Sequence, residues 1–341
     1  MIATINQLTQ LVVESVKGTA PGVGFKRLQS TTVLPATEVE IETFRAQGYR
    51  FPGVAVRHKE WSLWKLSGLL SYTDVIYALA GILKAPTTTR IIPSTGLAYR
   101  HVFTPVARGA NARKTFTVEH GETGQVIERS SYGTFAAWSF SLTRSADAAK
   151  NEQSGALFGR RLLDSVNDAI SLTSGAVDLA VRPVSTSDVC LYFADAYADL
   201  ATADPMNNAF SVDWGLADVA AAAWDLNRNN DSFKEDVETP PKGTVTLELA
   251  ADAIGQGFKA TMRAGATKFL RIECKGAFIE SDGGDDIHEL IIIDCALKIT
   301  GVGEKKDTGG VYAMAYTCEI AYDDVWGYAI YAEVINKLAG L

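Results

Sequence analysis

Oxygen-bearing side chains stand at the first, third, fifth and twelfth places of the stretch Asp225 to Asp236 (Asp225, Asn227, Asn229, Asp236), the order in which a calcium loop surrounds its ion. Two places argue against the ion. The sixth is Asn230, where the loop's sharp turn calls for glycine, and the twelfth is Asp, where a bidentate Glu is usual. The stretch reads as a solvated turn. Glu280, Asp282, Asp285, Asp286, His288 and Glu289 form a second acidic group that could hold a divalent ion, but a turn of this composition reads first as a self-repelling, hydrated tip. Gly255-Gln256-Gly257 and Gly301-Val302-Gly303 carry two of the three glycines of a dinucleotide fingerprint, and neither is read as opening a helix after a buried parallel strand. No phosphate-loop motif and no G-x-S-x-G elbow occurs, and His58, His101, His120 and His288 are scattered. Cys190, Cys274, Cys295 and Cys318 form no C-x-x-C pair and sit in apolar runs, so they read as buried thiols of a reducing compartment. No nucleophile–base–orienter set can be assembled. The expectation is a protein without enzymatic activity, with no catalytic, cofactor-binding or metal residue.

The elements that would carry these residues are mainly strands. Val39, Ile41 and Thr43 alternate with glutamates. Val245, Leu247 and Leu249 share one face, as do Ile291, Ile293, Cys295, Leu297 and Ile299. Val311 to Tyr322 sets Met314, Tyr316 and Cys318 against a small face of Ala313, Ala315 and Thr317, and Tyr328 to Leu338 reads as a closing strand. One helix is strongly signalled: Tyr72, Val75, Ile76, Leu79 and Leu83 form an apolar stripe, Ser71 with Asp74 marks its start and Pro86 its end. Weaker helical candidates are Ile5 to Val16, Leu157 to Ile170 and Leu191 to Leu200.

Two echoes point to a duplication. Phe116-Thr117-Val118-Glu119-His120-Gly121 resembles Phe210-Ser211-Val212-Asp213-Trp214-Gly215, with Ala-Ala-Trp downstream of each at Trp138 and Trp224. Tyr72, Asp74 and Leu79 share their spacing with Phe193, Asp195 and Leu200. The predicted fold class is therefore mainly β, a sandwich or barrel with a packed helix, tandemly duplicated. The expected domains are 1–172 and 173–341, the first carrying a long basic loop at 84–114 and the second acidic.

Of the 341 residues, 47% are hydrophobic and 21% charged, enough for a packed core and too few charges for disorder. No apolar run reaches membrane-span length, and Met1 to Val13 lacks the pattern of a signal peptide. Charge divides by halves. Residues 1–170 carry 19 Lys+Arg and 13 Asp+Glu, whereas 171–341 carry 13 and 27. Such unlike surfaces suit self-association. The overall charge of −8 argues against tight binding of a phosphate backbone. Arg90, Arg100, His101, Arg108, Arg113 and Lys114 make the expected loop an electropositive arm. Arg108, Arg113 and Lys114 are its candidate contacts to a neighbouring copy, with assembly weakening in salt.

The order of features resembles the major tail tube proteins of long-tailed, non-contractile bacteriophages. Gly48-Tyr49-Arg50 lies between two strands, and Gly68-Leu69-Leu70-Ser71-Tyr72-Thr73-Asp74-Val75 opens the helix. After the long connection, Lys114 to Gly121 resembles that family's tube-forming strand. Glu319-Ile320-Ala321-Tyr322-Asp323-Asp324 and Trp326-Gly327 precede the closing strand. The resemblance implies a structural virion protein whose copies line a channel for DNA ejection. Its two-domain type implies homotrimeric, pseudo-hexameric rings stacked into a tube, with a hexamer as the alternative. It also implies tape measure, terminator and tip proteins as partners, DNA passing without specific binding, assembly in the host cytoplasm, and no membrane. No terminal decoration domain is expected after Leu341. Two other readings stand beside it: another phage structural protein, such as a tail terminator or capsid component, and a soluble β-rich hydrolase.

Overall fold

The computed structural model describes residues 6–144, 149–227 and 232–341. The chain begins with β1 (Leu8–Val13), β2 (Lys26–Arg27), β3 (Thr31–Phe44), β4 (Val54–Leu69) and helix α1 (Val75–Ile82). It continues with β5 (Thr87–Arg90), β6 (Tyr99–Phe103), β7 (Phe116–Gly121), β8 (Ile127–Arg144), β9 (Ala149–Gly159), β10 (Leu163–Asp164) and β11 (Val177–Asp178). The second half holds β12 (Val189–Ala194), β13 (Ala209–Ala217), β14 (Ala220–Ala223), β15 (Glu235–Glu238), β16 (Lys242–Ala250) and helix α2 (Ala253–Ala264). It closes with β17 (Thr267–Asp282), β18 (Asp285–Val302), β19 (Lys306–Thr308), β20 (Val311–Ile320) and β21 (Ile330–Asn336). The fold is mainly β with a packed helix, as the periodicities predict.

One pairing scheme occurs twice. In the first half β3 pairs β4, β4 pairs β9, β9 pairs β8, β8 pairs β7 and β7 pairs β1, all antiparallel. In the second, β13 pairs β16, β16 pairs β20, β20 pairs β18, β18 pairs β17 and β17 pairs β12, again antiparallel. The helix follows the second strand of each set. α1 packs on β8, and α2 on its counterpart β18. Local backbone bonds repeat too. Leu70 N–H donates to Asn151 O as Ala251 N–H does to Tyr312 O, each at 2.7 Å, and Arg160 N–H donates to Ser131 O as Ala321 N–H does to Ala296 O, each at 2.9 Å.

The two repeats are fused. β13 of the second pairs β8 of the first from Ser211 to Leu216. The result is one run of eight strands, β3-β4-β9-β8-β13-β16-β20-β18. Trp64, Trp138 and Trp214 are fully buried on its core side. Trp138 and Trp214 meet edge-on across the junction, their ring centres 5.6 Å apart. Such a ring pair adds about 0.5–1.5 kcal/mol beyond the area it buries. Every residue of α1 is buried, so the helix is apolar all round and forms part of the core. Gly81 lets it approach: a Cβ there would stand 2.3 Å from the Phe135 ring.

Several expectations are corrected. Leu191 to Leu200 is not helical: β-prone Tyr192 and Phe193 pair in β12 against Arg271 and Leu270, and only Tyr197–Ala201 turns, as a 3-10 helix. Ile5 to Val16 contains β1 and Leu157 to Ile170 the end of β9 and β10, because sheet partners override weak helical patterns. The second repeat's helix is instead α2, whose Gly255 and Gly257 lower its propensity and hide it. Its caps are nevertheless written in the sequence: Asp252 accepts from Gly255 N–H, and Gly265 closes it at φ 61°. The stretch 84–114 is not one loop. It contains β5 and β6, and β6 crosses to the second repeat to pair β21. The sequence echoes also mispaired the repeats, since Phe116 to Gly121 is β7, counterpart of β17, while Phe210 to Gly215 lies in β13, counterpart of β3.

Candidate functional site

The face of the eight-stranded run opposite the core is small and polar. One cross-strand row reads Thr32, Ser67, Ser154, Ser139, Gly215, Thr244, Glu319, Lys298. The next reads Leu69, Glu152, Ser141, Asp213, Thr246, Thr317, Gly301. The strand period of two places these residues outward because Leu66, Phe140, Val212, Val245 and Tyr316 point to the core. Ser139 and Ser154 share a hydrogen bond of 2.9 Å. The middle of both rows, from Ser67 and Leu69 to Thr244 and Thr246, lines an open trough of about 640 Å³, with Asp213 and Glu152 among its charges. The chemistry available is hydroxyl and carboxylate, with few fixed cations to grip a phosphate backbone.

The edges of this run differ in use. β9, Arg160 and β10 follow one another down one edge of β8, leaving the other edge to β7 and then β13. In the second repeat β20, Ala321 and β21 follow one another down one edge of β18, and β17 takes the other as far as Lys298. Beyond Lys298 that second edge has no partner among the described residues, at the place where β8 receives β13. At the opposite end of the run β3, the counterpart of β13, pairs only β4 among the described residues. The isolated chain thus carries one satisfied copy of the junction and the two unsatisfied halves of another.

The candidate contact residues fall in different settings. Arg108 is exposed and has no ion pair among the described residues. Lys114 is half-buried, and its backbone N–H donates to Ala80 O. Arg113 is buried: its Nε lies 3.1 Å from Glu238 and Nη2 3.2 Å from Asp236. This corrects the reading of Arg113 as a free loop cation. Lys17 also donates to Asp236, at 2.6 Å, and Arg100 binds Glu333 with two nitrogens at 2.6 and 2.7 Å. Burial raises the Asp236 pKa, but Lys17, the Tyr132 hydroxyl and Arg113 outweigh it and hold the carboxyl below its ordinary range. First-half cations and second-half carboxylates therefore meet inside the chain. Sequence reasoning missed this because the partners are over a hundred residues apart.

Among the described residues no cluster of metal-ligating side chains occurs. Arg228 to Asp231 of the calcium-like stretch lie outside the described residues, and Asp236 is engaged as above. Glu280 accepts from the N–H groups of Leu97 and Ala98, each at 2.8 Å, and Glu289 is buried beside Arg182. Cys274, Cys295 and Cys318 are buried, and burial pushes the Cys295 and Cys318 thiols up to about 12. Among the histidines, His101 is fully buried between Thr88 and Asn336, a structural position.

No protein-family model matches the chain, and no curated protein matches it.

Proposed function

We propose that this protein is a structural subunit of a phage tail tube, closing into rings through its two open sheet edges and presenting the trough face to the channel. The observation that carries the reading is the repeated junction. β8 and β13 join the repeats within one chain, and the same two strand positions, the far end of β18 and the outer edge of β3, stand open at opposite ends of the run. A free edge is a site for another strand, and head-to-tail joining of unlike edges closes into a ring when the rotation allows. Two repeats per chain make three chains equivalent to six, the number implied by the resemblance.

The trough fits the role of a conduit. Duplex DNA carries about one negative charge per 1.7 Å of axis, so a channel that releases it quickly must not neutralise phosphates in series. Serine, threonine and glycine with scattered carboxylates meet that requirement. Electron microscopy of the purified protein tests the reading. It should show rings of three chains with six similar lobes around a channel, stacking into tubes. Closed shells, or monomers at every concentration, would overturn it.

A further inference from the structure

Part of the connection between β13 and β16 lies against the first repeat. The β14–β15 hairpin, with Ser232 to Lys234, folds back over the first repeat, where Val219 N–H donates to Ala136 O and the Ser232 hydroxyl to Glu60 O. Phe233 is almost wholly buried against Tyr132 and Phe158, with ring centres 5.2 and 5.3 Å away. Acidic Asp236 and Glu238 sit on Lys17 and Arg113, and Arg160 donates to Lys234 O at 3.0 Å. A hairpin of one repeat thus clamps the repeat that supplies the neighbouring edge.

The counterpart of that connection is the β3–β4 hairpin. Its base borders the connection, where Ile41 and Lys59 line a hollow with Trp224 and Leu226, but its tip, residues 44–53, is exposed throughout. Residues 38–58 extend beyond the sheet with Ile41, Phe44, Tyr49 and Phe51 exposed, Phe51 at 78%. The bulge between Glu40 and Ile41 gives this arm a place to bend. The second repeat carries its own apolar patch, after β20. Arg160 and Ala321 make equivalent backbone bonds, so the segment from Ala321 corresponds to the one that begins at Arg160, the residue that meets the clamp at Lys234 O. There Trp326 stacks on Tyr197, and Tyr322, Val325 and Tyr328 are open to solvent, Val325 at 98%. An apolar arm tip and an apolar patch are thus both left exposed.

We propose that the arm of one copy lies across the Tyr322–Tyr328 patch on the second repeat of its neighbour in the same ring. The partner is a second copy of this chain, and the proposal rests on the ring reading above. Charge supports the pairing. The arm tip bears Arg45 and Arg50, and the patch bears Asp323 and Asp324. This is the internal clamp with its signs exchanged, since there the hairpin is acidic and the surface basic. A bend at the bulge carries the tip from beyond the β3 edge onto the patch beside the β18 edge, so one neighbour satisfies both.

The test follows assembly against protein concentration, by light scattering and electron microscopy, for the full chain and three sets of variants. Phe51→Ser with Tyr49→Ser, both exposed in the monomer, should leave its thermal melting unchanged. The pair should raise the concentration needed for rings by about tenfold or more, as truncation of buried interface aromatics does. Arg50→Glu and Asp324→Arg should each impair ring formation, and the two together should restore it. Variants that form rings at the wild-type concentration, or form rings that merely fail to stack, overturn the lateral placement. So does a double exchange no better than its single members. A wild-type protein that forms no rings would instead remove the ring reading itself.

Discussion

The Lys17 ammonium lies 2.6 Å from Oδ1 of Asp236, 219 residues away, and joins the start of the first repeat to the clamp of the second. Arg113 closes on the other carboxylate oxygen at 3.2 Å. Lys17 is half exposed, so its share is screened, whereas Arg113 and Asp236 are nearly buried. Breaking a buried pair leaves one charge uncompensated and costs about 3–5 kcal/mol. Arg113→Ala should therefore destabilise the monomer by roughly 2–4 kcal/mol in a urea titration, the remaining Lys17 contact offsetting part of the loss. Arg108→Ala should change stability by less than about 0.5 kcal/mol.

Acid should release the same clamp. The folded pKa of Asp236 is lowered, so its stabilisation is complete above the unfolded value, near 3.8, and is lost as pH falls through the folded one. Denaturation midpoints measured from pH 5 down to pH 2 should fall less steeply in Asp236→Asn, which begins weaker.

His101 places a second pH response higher on the scale. It is buried on β6, with Nδ1 2.9 Å from the Thr88 hydroxyl and Nε2 3.1 Å from Asn336 Oδ1 on β21. Asn336 Oδ1 also accepts from Leu338 N–H, so Nε2 carries the proton and Nδ1 accepts. Burial lowers the folded pKa below the ordinary 6.5. Protons then favour the unfolded state, and the stability held above pH 6.5 declines as pH falls below it. Hydrogen-exchange protection in β5 and β6, taken relative to the intrinsic rate at each pH, should fall as pH drops below 6.5, and His101→Gln should remove that dependence.

Gly81 sets two effects against each other. Alanine in a helix interior gains about 1 kcal/mol over glycine. Here its methyl would stand 2.3 Å from the Phe135 ring and 3.0 Å from Phe116, and overpacking costs about 1–3 kcal/mol. The clash should win: Gly81→Ala should lower the thermal midpoint, and Gly81→Val should lower it further.

Much of the strand architecture was legible because burial alternates where the sequence does. Val245, Leu247 and Leu249 are fully buried, as are Met314, Tyr316 and Cys318. α1 was legible from its stripe and from Pro86. α2 was not, since only Phe258 and Gly255 are buried on it and its glycines weaken the pattern. Gly255 is there because its N–H caps on Asp252 and a Cβ would meet Ala250 O at 2.0 Å, a reason visible only in three dimensions. The charge division of the halves was legible, but its use was not. Asp236 and Arg113 pair inside the chain because β13 joins β8, and nothing in local sequence encodes that junction. The trough face was readable only near Ala315 and Thr317; Ser139, Ser154 and Gly215 join it through cross-strand register.

Cysteine pairing across the open edges tests ring closure most directly. By repeat equivalence Ala36 takes the place of Gly215 and Gly303 that of Ser139, two residues directly opposed in the internal junction. Ala36→Cys should be combined in one chain with cysteine at Gly301, Gly303 or Lys305, a series spanning one step of register either way. Under mild oxidation one combination should give a closed covalent trimer on non-reducing electrophoresis, absent from each single variant and dissolved by reductant. Monomers throughout the series, or crosslinking equally efficient at all three positions, would contradict the account.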